Sequence, residues 1–183
     1  MPPRERHSCA DIRLTLRDAD RGALLDEFTD DGQWPVIAKT MVADAVAANP
    51  WLRSHLTSLN SALGDDGLQF AYRVFDEIAC FVWRAERNGL FDSARDAFDH
   101  AVLMKVLPKF HGSRARLEGP LIALMGWCLD PASPQPGMVR DALGATEPLA
   151  EVLRLVELAT YDATFRRAHR LLRDVLRDGF AAF

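Results

Sequence analysis

The sequence predicts an all-α protein, a helical bundle preceded by a short β-prone segment. Three observations carry that expectation. From Val36 onward apolar residues recur three and four positions apart, the spacing of one face of an α-helix. Asn49-Pro50, residues 64–67, Asn88-Gly89 and the proline-rich residues 130–137 punctuate those segments with residues that stop helices. Strict apolar/polar alternation, the strand period, is confined to residues 11–17 (Asp-Ile-Arg-Leu-Thr-Leu-Arg).

Taken in order, residues 1–35 are polar and irregular. The alternating piece reads as a half-buried edge strand, too short to make a sheet by itself, and DDGQWP at 30–35 reads as a turn. Residues 36–48 form an alanine-rich helix ended by Asn49-Pro50. Residues 51–63 place Leu52, Leu56, Leu59 and Leu63 on one face. Asp65 or Asp66 is placed to cap the next helix, 68–87, whose stripe is Phe70, Val74, Ile78, Phe81 and Val82. Asn88-Gly89 is a left-handed stop. Residues 91–107 are helical up to Pro108, which prevents a smooth continuation. Gly112 permits a turn and Ser113 suits the N-cap of a helix over 113–128, with Leu117, Leu121, Leu124, Met125 and Cys128 facing inward. Pro120 kinks that helix or delays its regular start. Residues 131–137 read as a linker, followed by helices at 149–160 and 165–177. The expected organisation is an N-terminal segment (1–35), a bundle (36–130), the linker (131–137) and a helical tail (138–183).

Bulk properties exclude several classes. With 183 residues, 49% of them hydrophobic and 26% charged, the composition is that of a globular domain. A net charge of -4 gives no whole-molecule attraction for nucleic acid or an anionic membrane. No apolar run approaches the roughly 20 residues of a membrane span, and the charged N-terminus lacks the apolar region of a signal peptide. Cys9, Cys80 and Cys128 are odd in number and far apart, as expected of reduced thiols buried as small hydrophobes in a cytoplasmic protein.

The catalytic motifs are missing too. Lys39, Lys105 and Lys109 are the only lysines, and none follows a glycine, so no phosphate-binding Gly-Lys-Ser/Thr loop is present. HExxH, CxxC and GxSxG do not occur. Asp65-Asp66 and Asp76-Glu77 read as capping or solvated carboxylates, and His55, His100, His111 and His169 as structural. No metal site and no catalytic residue is expected.

Two stretches rise above this background. In LNSALGDDGLQFAYRVFDEIACFV (59–82), Arg73 and Glu77 stand one helical turn apart at the edge of the apolar stripe. One reading is an ordinary surface pair. The other is an arginine projected towards a phosphate held by another domain, a task that suits a permanently charged, forked guanidinium. In AFDHAVLMKVLPKFHGSRARLEGPLIAL (97–124), Leu103, Val106 and Leu107 seat the first helix, and Lys105, Lys109, Arg114 and Arg116 gather at one corner with no carboxylate before Glu118. That corner reads either as a solvated helical turn or as an anion-facing patch.

GLQFAYRVFDEIACFV, followed by FDHAVLMKVLPKFHGSRARLE and the closing LLRDVLRDGFAAF, resembles the C-terminal lid and tail of McrB-like AAA+ motor subunits of modification-dependent restriction systems. The resemblance runs from about Val36 to Phe183, although Ala71 stands where such proteins have glycine. It implies a lid that closes over a nucleotide on a separate P-loop core, with residues 12–16 a remnant of the last strand of that core. It implies a sensor-2-like role for Arg73, with Glu77 orienting it. Lys105, Lys109, His111, Ser113 and Arg114 match its second motif, for which structural and inter-subunit roles both stay open; with Arg116 they are the candidate phosphate- or partner-contacting residues. The implied partners are a P-loop core or AAA+ ring subunits, a McrC-like endonuclease, and DNA through the complex, with no membrane. No nucleotide is expected on the chain alone; GTP or ATP with Mg enters only where a P-loop core completes the site. Two other functions stay open: an adaptor docking on an intact AAA+ ring, and a DNA-binding module using the corner at 105–116.

Overall fold

A computed structural model describes residues 39–64 and 67–182. Among these the chain is all-α, eight helices with one two-stranded ribbon. The alternating piece at 11–17, Cys9, and the expected caps Asp65 and Asp66 lie outside the described residues.

Helix α1 (Lys39–Ala48) ends where Asn49 turns back, its side-chain amide donating to Glu86 Oε2 at 2.5 Å. Pro50 leads into α2 (Trp51–Ala62), and Leu52, Leu56, Leu59 and Leu63 are all buried, as their spacing requires. The third helix departs from expectation. Regular helix begins only at α3 (Tyr72–Arg87). Residues 68–71 run extended instead, with Leu68 and Phe70 buried while Gln69 and Ala71 face out. A two-residue period satisfies the core there, Asn60 Oδ1 accepts the Phe70 N–H at 2.8 Å, and Gly67 supplies the positive φ of 67° that starts the segment.

Helix α4 (Ala94–Lys105) starts three residues later than its apolar pattern suggested, because Ser93 caps it by accepting the Asp96 N–H at 3.2 Å. A 3-10 turn (Leu107–Lys109) and strand β1 (Gly112–Ser113) connect it to α5 (Arg114–Leu129). The inward residues predicted for α5 are all fully buried, and the helix begins at Arg114 and runs on past Pro120, so the expected delay of its start does not occur. Ser113 holds the N-cap position, but its side chain makes no capping bond.

Residues 131–137 are not simply a linker. Pro136 takes the first position of α6 (Pro136–Leu143), a helix the sequence reading missed, and a first-turn proline loses no hydrogen bond. Gly126 explains the docking of this segment. A Cβ there would lie 2.4 Å from Pro136 N and 2.6 Å from its Cα, and Gly126 O accepts the Gln135 N–H at 2.9 Å. Next come α7 (Pro148–Arg154), a 3-10 turn (Leu155–Leu158) and α8 (Asp162–Asp178). Gly179 ends α8 in the left-handed region and releases β2 (Phe180–Ala181), which pairs antiparallel with β1, Gly112 opposite Ala181.

Nor is the C-terminal part a separate tail. Residues 37–183 form one compact unit, in which α8 packs along α5 and against α4. At its centre lie Phe98, Trp127 and Tyr161. Tyr161 stacks on Trp127 at 4.9 Å and lies 5.0 Å from Phe98 between ring centroids. Cys80 and Cys128 are free and buried, as small hydrophobes are expected to be, and burial pushes both thiols up. No helix among the described residues is long and apolar enough to cross a membrane.

Gly126→Ala should therefore lower stability by about 3 kcal/mol in urea denaturation, although alanine is intrinsically the better helix former. The buried histidines set a pH dependence. His55 Nδ1 lies 2.6 Å from the Tyr161 hydroxyl and His169 Nε2 donates to Leu149 O at 2.9 Å. Burial lowers both imidazoles from the ordinary histidine value. A folded pKa below the unfolded one gives stability that is present above about pH 6.5 and lost as pH falls through the folded value. The urea midpoint should fall between pH 7 and 5, and less steeply in His169→Gln.

Candidate functional site

The extended lead-in at 68–71 delivers Arg73 as the second residue of α3, with its side chain 87% exposed. Its Nε donates to Glu77 Oε1 at 3.1 Å, one turn further on. Glu77 is the pivot: its other oxygen accepts Lys105 Nζ at 2.7 Å, from the last turn of α4. The hydrogen bond from Lys105 does most to hold the Glu77 carboxyl below the ordinary range; burial opposes it, and Arg73 adds a further lowering. Lys109 closes a second link. It donates to Gln69 O at 3.1 Å and sits 5.8 Å from the centre of the Phe70 ring. The two motif segments, 69–77 and 105–109, are thus joined into one surface. No hydrogen bond engages the two terminal nitrogens of Arg73 among the described residues.

Beside this surface is an open pocket of about 360 Å³. Leu56, Phe70 and Phe75 give it apolar walls, Thr57, Asn60 and Gln69 polar ones, and Tyr72, 90% exposed, stands at its rim. The pocket offers a mixed surface beside a cationic edge, and no nucleophile paired with a base.

The remaining residues of the corner are held differently. His111 Nδ1 lies 3.3 Å from Pro108 O, and Gly112 adopts φ 138°. Ser113 pairs with Phe180, and the Arg114 N–H donates to Gly179 O at 2.9 Å. Arg114 Nε donates to Glu118 at 2.7 Å, while the exposed Arg116 side chain passes beside Gly112. The expected cluster of four cations is therefore divided by carboxylates. Glu77 reaches Lys105 from another helix, and Glu118 takes Arg114. Sequence spacing had no means of showing the first of these. It also missed the clip between β1 and β2, because two residues of strand carry no readable period. Asp99 was missed as well, yet it left a signal: a carboxylate among the buried Phe98, Ala101 and Val102.

Among the described residues, no three His, Cys, Asp or Glu side chains converge as metal ligands would. Fold and surface together define a small all-α domain with a tethered, outward-facing arginine. Residues 33–180 match the model of a domain of unknown function, DUF8727, and the chain belongs to that family. No curated protein and no solved structure matches it.

The pivot can be measured with double-mutant cycles. The coupling of Lys105 to Glu77 should be about 0.5–1 kcal/mol and that of Arg73 to Glu77 about 0.3 kcal/mol, the second smaller because Arg73 is so fully in water. Urea denaturation of the single and double alanine variants reads both.

Proposed function

We propose that this domain is the non-catalytic, lid-like portion of a McrB-like AAA+ NTPase, contributing nucleotide sensing and subunit coupling to a DNA restriction or defence complex. In this reading a P-loop core on a partner or neighbouring domain holds GTP or ATP with Mg, and Arg73 approaches the terminal phosphate from the lid side. One observation carries it. Two motifs 28 to 40 residues apart meet at Glu77 and Gln69, and the arginine they hold is turned outward with its terminal nitrogens unengaged.

The chemistry asked of the domain is electrostatic. A guanidinium keeps its charge under all conditions and offers paired donors to phosphate oxygens. Glu77 takes the Nε and fixes the stem, leaving the far end for a ligand, while Lys105 holds the other oxygen of Glu77. Closure of the lid then adds charge where negative charge gathers during phosphoryl transfer. A partner surface is available in the pocket and Tyr72 beside it. The adaptor reading draws on the same surface.

Purified chain mixed with Mg-GTP or Mg-ATP should release no phosphate above background, and turnover by the chain alone would overturn the reading. Tagged and expressed in its own cells, the chain should co-purify with a polypeptide bearing a Gly-Lys-Ser/Thr loop. Arg73→Ala should slow hydrolysis by that complex about tenfold or more without reducing its recovery. An unchanged rate counts against the proposal.

A further inference from the structure

The outward face of α8 carries a row of like charges. Arg166, Arg170, Arg173 and Arg177 are all exposed and lie four, three and four positions apart. At about 100° per residue they fall within a sector about 60° wide, opposite the buried Phe165, Ala168, Leu172 and Val175, and they span about 16 Å of helix. Each is a like-charged neighbour of the next at i,i+3 or i,i+4, an arrangement that opposes helix formation. It occurs in a chain whose net charge is -4, on a helix with five arginines against three aspartates. Arg166 contacts Asp162 at 3.4 Å, Arg173 contacts Asp174 at 2.9 Å and Arg177 contacts Asp178 at 2.8 Å. All three pairs lie at the surface, Asp174 being half-buried, and such pairs are readily exchanged for another anion. Arg170 has no such partner among the described residues.

We propose that this arginine ridge binds the phosphate backbone of a nucleic-acid duplex. The choice of partner follows from what the ridge carries and lacks. Guanidinium forks suit phosphate oxygens, and the row is straight, as a helix is, and of one sign. It has no aromatic side chain on which unstacked bases would stack, which argues against a single strand. It has no large apolar side chain to anchor a protein interface; none of the exposed large hydrophobic residues lies in α8. Guanidinium contacts to phosphate oxygens carry no sequence information. Nothing here requires a nucleotide or Arg73, so the inference stands apart from the lid reading.

The test is fluorescence anisotropy of the full chain with a labelled 20-base-pair DNA duplex at about 50 mM salt. Micromolar binding is expected, with log K falling against log salt at a slope of about -3 to -4, near 0.9 per phosphate contacted. Replacing Arg166, Arg170, Arg173 and Arg177 together by Gln should weaken binding at least tenfold, and Arg170→Gln alone should reduce the slope by about one. The melting temperature of both variants should be equal to or above that of the parent, since repulsion is relieved. Should the fourfold variant fail to fold, the pair Arg170→Gln and Arg173→Gln decides the matter. Absence of binding at this salt overturns the proposal, as does binding the fourfold variant retains in full. Two other results overturn it: tighter binding of poly-glutamate than of duplex, which would make the partner an acidic protein, or an equal loss in Arg114→Gln with Arg116→Gln, which would move the contact to the turn.

Discussion

The bundle depends on a buried carboxylate that caps a helix belonging to a distant part of the chain. Asp99, on α4, accepts the N–H groups of Ala163 and Thr164 at 2.9 Å each, and the Thr164 hydroxyl donates back to the Asp99 backbone carbonyl at 3.2 Å. The residue at the N-cap of α8 is Tyr161, whose side chain caps nothing. Without Asp99 the first turn of α8 would bury donors with no acceptor, a cost of about 1–3 kcal/mol per group. Burial still pushes the Asp99 carboxyl up, against the pull of those donors. In this arrangement of α4 and α8 the carboxylate faces the positive terminus of the helix.

Much follows from that fixed crossing. Tyr161, one residue before α8, is held flat on Trp127 with its hydroxyl against His55, tying α2, α5 and α8 through one side chain. At the far end of α8, Gly179 and β2 reach β1 and hold the turn that follows Lys109. The same helix therefore anchors the aromatic core at its start and one flank of the surface site at its end. Its outward face bears the arginine ridge, while its inward face supplies Phe165, Ala168, Leu172 and Val175 to the core. One element serves packing and presentation because the two tasks use opposite sides of a single cylinder.

The surface around Arg73 is organised by a second carboxylate working in a different medium. Asp99 acts in the interior, where an unmet donor is expensive. Glu77 lies near water, where its contacts with Lys105 and Arg73 each contribute little stability and mainly fix direction. Membership of a family of unknown function leaves the site itself as the ground for a functional reading.

The all-α class, the leucine face of α2 and the buried face of α5 were legible in the sequence, because a helix repeats every 3.6 residues and an apolar side must be hidden. Arg73 beside Glu77 was legible for the same reason, being a contact within one turn. Four features were not. The extended course of residues 68–71, the helix at 136–143, the link from Lys105 to Glu77 and the cap from Asp99 to α8 all depend on residues far apart in the chain. Local periodicity records which way a side chain must face. It does not record what it will meet there, and only the packed bundle decides which carboxylate closes a helix, which one steadies an arginine, and where a glycine must stay bare.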